Sequence, residues 1–168
     1  MLGRGWAWDP NIFPNLTPQN NIKKSDRHRR YNCIAWAAGS KKNWWWPDRN
    51  AIARKDAYWP PGVPVEVNID AFILAFKTKR YEECGMDPTF EPGFEKIAIY
   101  EALDPDDNRI KPSHAARQLS DGSWTSKIGP NVDIQHMTPN AVGGGLYGTI
   151  VLYMKRPIGI FHRRSRRC

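Results

Sequence analysis

Apolar residues recur along this chain at two different spacings, and the spacings predict a helix followed by several strands. Within residues 68–80, four apolar side chains follow the i, i+3, i+4, i+7 pattern of one buried helical face: Ile69, Phe72, Ile73 and Phe76. Asn68 is a good N-cap for this helix, and basic residues end it where the helix dipole favours them. We therefore predict a helix over 68–80 that packs on the core.

Downstream of residue 95 the apolar and polar positions alternate, which is typical of strands. We predict strands over residues 96–102, 114–119, 123–129 and 146–154. The sequence Ser120-Asp121-Gly122 joins the second and third strands as a hairpin turn. Because helices come first and an antiparallel meander follows, we predict an α+β fold with helices packed on an antiparallel sheet.

A second, shorter helix carries the most informative residue of the chain. It is predicted from the sequence Tyr31-Asn32-Cys33-Ile34-Ala35-Trp36-Ala37-Ala38-Gly39. Asn32 is a good N-cap, and Gly39 can end the helix in the left-handed conformation. Cys33 then lies in the first turn, where free backbone amides and the helix dipole favour a thiolate. It is a candidate nucleophile if a histidine approaches it.

Length and composition limit the organisation of the chain. With 168 residues, 40% hydrophobic residues and eight tryptophans, it has room for one domain with one core. We predict an irregular basic arm over 1–30, a catalytic-type domain over 31–157 and a disordered basic tail over 158–168. No membrane-spanning apolar run and no signal peptide are present, so a cytoplasmic location is expected, with delivery by a signal-less route left open.

The three cysteines and the net charge of +8 also bear on function. An odd cysteine count without CxxC spacing argues against disulfides and structural zinc, and neither a metal nor a cofactor is expected. The excess positive charge falls in residues 23–30 and in the tail. The tail arginines are a candidate contact for an anionic partner, and solvated charge is the alternative interpretation: Arg163, Arg164, Arg166 and Arg167.

Cysteine catalysis needs a base for the thiol proton and a third group that orients the base. His114, at the start of a predicted strand, is the candidate base. For the orienting group we rank Asp133 first, because a carboxylate can accept the imidazole N–H. His136 ranks second. Ser126 ranks third and shares the face of His114 if the hairpin turn is at 120–122.

The segment 40–67 is rich in tryptophan and proline, and it is predicted to pack over the core or to form one wall of a cleft. Burial in the core is the commoner role of such aromatic residues. Five residues are candidates for substrate binding: Tyr31, Asn32, Trp45, Trp124 and Ser126.

Three stretches carry a resemblance to a known family: the sequence around Cys33, the block Ser113-His114-Ala115-Ala116-Arg117-Gln118-Leu119, and residues 121–129. Over residues 31–157 the chain resembles the papain-like cysteine peptidase superfamily, and more narrowly the NlpC/P60-type and related uncharacterised bacterial domains. The resemblance implies a papain-like α+β core with Cys33 as nucleophile and His114 as base. The implied intermediate is an acyl-enzyme formed from an amide, ester or isopeptide.

The chain also departs from that family. The position that usually holds a polar orienting residue, often a histidine, is Ser126 here. No glutamine lies just before the cysteine, where residues 27–30 are Arg-His-Arg-Arg, so the backbone N–H of Cys33 is the favoured oxyanion donor.

Two classes of function follow from these patterns. The first is a cysteine-dependent amide hydrolase or acyl transferase (a peptidase, amidase or deamidase), with effectors and toxins included, acting on a peptide or protein amide. The second is a non-catalytic binding module whose basic segments and tryptophans engage nucleic acid or another anionic partner.

Overall fold

Seven strands form one sheet in the computed structural model, which describes residues 6–159. The strands are β1 (Asn21–Lys23), β2 (Glu82–Glu83), β3 (Phe94–Asp104), β4 (Arg109–Gln118), β5 (Trp124–Lys127), β6 (Asp133–His136) and β7 (Thr149–Pro157). Their order across the sheet is β1-β6-β5-β4-β3-β7-β2, and each neighbouring pair is antiparallel. The predicted α+β class with an antiparallel sheet is confirmed at this level.

The helices are short and begin at side-chain caps. They are α1 (Cys33–Ala37), α2 (Arg49–Ala53), α3 (Ile69–Lys77) and a 3₁₀ helix (Pro139–Val142). The predicted helices at Cys33 and at 68–80 are both present, although α3 ends three residues earlier than predicted. Asn32 and Asn68 each accept a hydrogen bond from a first-turn amide, as expected for N-caps.

Alternate residues of β3 divide the buried apolar residues into two clusters. Ile97 and Ile99 pack with α1 and α3 on one side of the sheet. Ala98 and Tyr100 pack on the other side with the N-terminal segment and the 3₁₀ helix. This is the two-faced burial that a period of two residues produces in a strand.

Some strand boundaries differ from the prediction. β4 begins at Arg109, so His114 lies inside the strand, opposite Tyr100, and not at its start. The last strand runs three residues later than predicted. The expected irregular arm contains β1, because its backbone pairs with β6, a strand that the alternation rule did not detect.

The hairpin register was predicted correctly. Arg117 lies opposite Thr125 and Gln118 lies opposite Trp124, as a turn at residues 120–122 requires. None of the helices within residues 6–159 has the length and apolar character that crossing a bilayer demands.

Asn32 should contribute more to stability than an ordinary cap. Its side chain caps α1, and it also donates to the carbonyl of Trp45 (2.8 Å) and accepts from the Trp45 amide (3.1 Å). We expect Asn32→Ala to lower the free energy of unfolding by about 2–4 kcal/mol, because buried backbone groups lose their partners. Urea denaturation would measure this loss. The matched control is Asn68→Ala, which removes the cap of α3 and should cost about 1 kcal/mol. Equal losses in the two variants would contradict this role of Asn32.

Candidate active site

Helix α1 brings Cys33 against the strand that carries His114. The helix packs on both β4 and β5. These two strands pair only where Arg117 and Gln118 meet β5, so their ladder ends before His114 is reached. The backbone amide of Ala115, the residue after His114, lowers the pKa of the Cys33 thiol against the larger effect of burial. Cys33 therefore lies close to the backbone of β4 next to His114, and the His114 ring packs with Tyr100 and Tyr147, which belong to the cluster on the other side of the sheet.

Behind His114, a line of hydrogen bonds runs through three buried side chains. His114 Nε2 lies 2.9 Å from Ser126 Oγ, and Ser126 Oγ lies 2.9 Å from His136 Nε2. His136 Nδ1 lies 2.7 Å from the carbonyl oxygen of Thr138. The three side chains are almost completely buried, with His136 the most exposed at 1%.

The carbonyl of Thr138 determines where each proton in this line lies. A carbonyl only accepts, so Nδ1 of His136 carries the proton and Nε2 of the neutral ring is an acceptor. Ser126 therefore donates to His136, and its oxygen accepts from Nε2–H of His114. Nδ1 of His114 is left with a free lone pair, and this buried nitrogen has no hydrogen-bond partner among the described residues.

Tyr147 fixes the plane of the His114 ring. The two rings are stacked with centroids 3.9 Å apart and planes 7° apart, and Tyr100 meets the imidazole edge-on. Tyr147 precedes Gly148, where a Cβ would collide with the Glu101 carbonyl, so the loop passes closer to β3 than other residues allow. The sequence analysis missed Tyr147. The three-glycine turn just before it was the available signal.

Electrostatics at the site differ from the prediction for Cys33. Burial raises the pKa of the Cys33 thiol to about 11, and the amides of Ala115 and Ile34 and the charge of Lys127 offset this only in part. The predicted thiolate-favouring position is therefore wrong for the resting protein, because desolvation exceeds the effect of a five-residue helix. Burial, with a smaller effect from His136, holds the pKa of His114 well below 6.5. The resting pair is a neutral thiol and a neutral imidazole.

The structure places the three candidates for the orienting group differently from their predicted order, and which of them orients the base stays a prediction. Asp133, placed first, accepts a hydrogen bond from the Tyr31 hydroxyl (2.9 Å), so its place in the structure is beside Tyr31. Ser126, placed third, is the residue that contacts His114. His136 is hydrogen-bonded to Ser126 and not to His114, although its charge also lowers the pKa of His114. A serine was ranked low because it is a poor orienter alone, and the second histidine behind it corrects that weakness.

The five candidates for substrate binding are all buried, and none is more than 5% exposed: Tyr31, Asn32, Trp45, Trp124 and Ser126. Their role in substrate binding stays a prediction, and in the structure each side chain has an internal partner. Asn32 binds Trp45, the Trp45 ring packs on Tyr58, and the Trp124 ring packs on Tyr153. These residues shape the site from within and present no surface to a substrate.

Two clefts meet at Trp46, so the segment 40–67 contributes a wall as well as core residues. One, of about 300 Å³, is lined by Trp46, Val67, Leu103, Ser113 and Leu146 among others. Ser113 precedes His114 and Leu146 precedes Tyr147, so this cleft lies next to the backbone on either side of the stacked His114 and Tyr147 rings. The other, of about 480 Å³, includes Arg29, Trp44 and Pro130 in its lining.

Two remaining predictions concern a metal and the tail. Within residues 6–159, no three His, Cys, Asp or Glu side chains converge in a way that would hold a metal ion. The tail arginines lie outside the described residues: Arg163, Arg164, Arg166 and Arg167.

Fold and site together define an α+β domain with a buried cysteine on α1 and a buried histidine on β4 that is hydrogen-bonded through a serine to a second histidine. Residues 22–155 match the family described as "Domain of unknown function (DUF7689)", and the chain belongs to that family. The matched range contains Cys33, His114, Ser126, His136 and Tyr147, and it begins after the N-terminal segment. No curated protein and no solved structure matches the chain.

The buried histidines should make the protein less stable in mild acid. Burial lowers the pKa of His136 to about 4 and that of His114 well below 6.5, whereas both are near 6.5 when unfolded. The unfolded chain therefore binds more protons as the pH falls below 6.5. Stability that is complete above that pH is lost toward pH 4. We expect a slope of up to about 1.4 kcal/mol per pH unit for each histidine, measured by urea denaturation from pH 7 to 4.

His136→Asn should flatten this slope. An asparagine amide can still donate to Thr138 but does not titrate, so one of the two contributions disappears. The control is His28→Asn, which replaces an exposed histidine outside the line of buried side chains. A wild-type stability that does not vary between pH 7 and 4 would contradict the prediction.

Proposed function

We propose that this protein is a papain-like cysteine-dependent amide hydrolase or acyl transferase in which Cys33 is the nucleophile and His114 is the base. The observation that carries the proposal is the free lone pair on Nδ1 of His114, a buried nitrogen of the residue next to Ala115, whose backbone amide acts on the Cys33 thiol. Every other ring nitrogen of His114 and His136 has a partner whose role is defined. An unpaired buried acceptor costs about 1–3 kcal/mol of stability. A role as the proton acceptor in catalysis would account for that cost at Nδ1.

The reaction follows from the protons already assigned. As Cys33 Sγ attacks the carbonyl carbon of an amide, its proton passes to Nδ1 of His114 and the carbonyl oxygen becomes an oxyanion. The amide of Cys33, with those of Ile34 and Ala115 nearby, can donate to developing charge at this place. Nε2–H of His114 keeps its bond to Ser126 throughout, so the line behind the base needs no rearrangement.

The second half of the reaction reverses the proton transfer. The carbon–nitrogen bond breaks, Nδ1–H of His114 protonates the leaving amine, and a thioester remains on Cys33. Water attacks the thioester while Nδ1 takes its proton, which releases the carboxylic acid and restores the thiol. If an amine attacks in place of water, the same steps produce acyl transfer.

The cleft beside Ser113 and Leu146 suits a peptide or protein amide with an apolar group near the scissile bond. Its wall is formed by Trp46, Val67 and Leu146. The charged side chains at its edge neutralise each other, since Lys111 lies 2.9 Å from Asp104. This lining favours an apolar group over a charged one.

The binding-module alternative has less support. Stacking on nucleic acid needs exposed aromatic rings, and within residues 6–159 every tryptophan is buried or half-buried. The basic side chains at 27–30 are exposed, which any solvated surface also explains. Cys33→Ala separates the two proposals, because it should abolish catalysis but leave binding of a nucleic acid probe unchanged.

The base role of His114 can be tested without knowing the substrate. His114→Gln can keep an N–H donor for Ser126 but has no base in place of Nδ1. We expect it to slow alkylation of Cys33 by iodoacetamide at pH 7–8 by about 10²-fold, the usual contribution of a positioned base. The depressed pKa of His114 keeps Nδ1 unprotonated in mild acid, so the wild-type rate should not show an acid limb until the pH is below 6.5. Peptide mass mapping would give the rate at each cysteine.

Cys84 is the internal standard, since it is half-buried and remote in sequence from the proposed base. Its rate should be the same in wild type and His114→Gln. A Cys33 rate that does not change in His114→Gln would refute the base role. A library of peptide amides, screened with Cys33→Ala as the blank, would then identify the substrate or show that none is cleaved.

A further inference from the structure

Lys127 is a buried lysine on β5, next to Ser126 in sequence, and its side chain is 0% exposed. Its ammonium donates to three backbone carbonyls: His28 (2.7 Å), Gly129 (2.6 Å) and Asn131 (2.5 Å). All three protons therefore have acceptors. Neutral carbonyls solvate the charge without cancelling it.

The three carbonyls come from two segments that flank the candidate site. His28 lies in the stretch that leads into α1, and Gly129 and Asn131 lie in the turn between β5 and β6. The ammonium also lies 5.1 Å from the centre of the Tyr31 ring, two residues before Cys33. Lys127 thus connects the segment that precedes α1 with β5, the strand that also carries Ser126.

The charged and titratable groups around Lys127 are few. Cys33 on α1 and Asp133 on β6 are the groups whose charges act on it. Asp133 accepts from the Tyr31 hydroxyl and does not form an ion pair with Lys127. The positive charge of Lys127 in turn lowers the pKa of the Cys33 thiol, against the larger effect of burial.

We propose that Lys127 is a positioning residue of this site, which holds the entry to α1 in place and stabilises negative charge on Cys33 as the thiol loses its proton. The inference rests on the proposed function. A positive charge near the thiol is useful because the thiol and the imidazole are both neutral at rest. Neither histidine carries a positive charge before the proton moves. An ammonium held in place by three backbone carbonyls supplies that charge without reorganisation.

Lys127→Met and Lys127→Arg separate the effect of the positive charge on Cys33 reactivity from the effect of side-chain shape. The methionine side chain fills similar space without a charge, whereas arginine keeps the charge and the donors. We expect Lys127→Met to slow Cys33 alkylation between pH 8 and 10 by roughly three- to tenfold relative to wild type. In that range the rate follows the small thiolate fraction, and the greater nucleophilicity of a more basic thiolate partly offsets its loss. Lys127→Arg should remain within about threefold of wild type.

Circular dichroism and thermal melting would establish that each variant is folded, and Cys84 would again be the internal standard. A Met variant that alkylates at the wild-type rate, or Met and Arg variants that slow equally, would overturn the proposal. A purely structural lysine would change melting temperature without a selective change in Cys33 reactivity.

Asp133→Asn tests the same inference if Lys127→Met does not fold. The asparagine oxygen can still accept from Tyr31, while the nearby negative charge is gone, so Cys33 should alkylate faster than in wild type. An unchanged rate would overturn the electrostatic role. The His114→Gln variant keeps the two proposals apart: a Lys127 effect with no His114 effect would retain the charge role and reject His114 as the base.

Discussion

The hydrogen bond from His136 Nδ1 to the carbonyl of Thr138 sets the protonation state of the whole candidate site. Because a carbonyl has no proton to give, it fixes the tautomer of His136, and His136 then fixes the direction of the Ser126 hydroxyl and the tautomer of His114. As a result, Nδ1 of His114 carries no proton, and it has no hydrogen-bond partner among the described residues. Without the Thr138 carbonyl, the distances would be equally consistent with hydrogen-bond donation in either direction along the His114–Ser126–His136 line.

One tyrosine connects the two ends of this line. Tyr100 lies opposite His114 on β3 and meets its ring edge-on, and the Tyr100 hydroxyl donates to the carbonyl of Pro139 at the start of the 3₁₀ helix. The carbonyl that orients His136 belongs to the residue just before Pro139. The sheet, the 3₁₀ helix and the two histidines are therefore positioned by one buried side chain, which explains how short elements define a precise arrangement.

Local chemistry made part of this structure predictable. The Asn32 and Asn68 caps, the apolar face of α3 and the turn at residues 120–122 are all determined by near neighbours, and they were predicted correctly. β1 and β6 were missed because a short edge pair depends on a partner distant in sequence. Burial is also a tertiary property, which is why the sequence left Trp45 and Asn32 as candidates for substrate binding, and why Asp133 was ranked first as the partner of His114 although it contacts Tyr31.

The pKa of Cys33 is the property of the site that is hardest to predict from the sequence. A helix N-terminus lowers a thiol pKa when the thiol also reaches water, and the sequence gives no measure of that access. In the structure burial dominates and raises the pKa of the thiol, so under the proposed function the thiolate forms together with proton transfer to His114. A positive charge near the sulfur is then most useful while the proton moves, and Lys127 is the fixed cation that the fold keeps within electrostatic range of that sulfur.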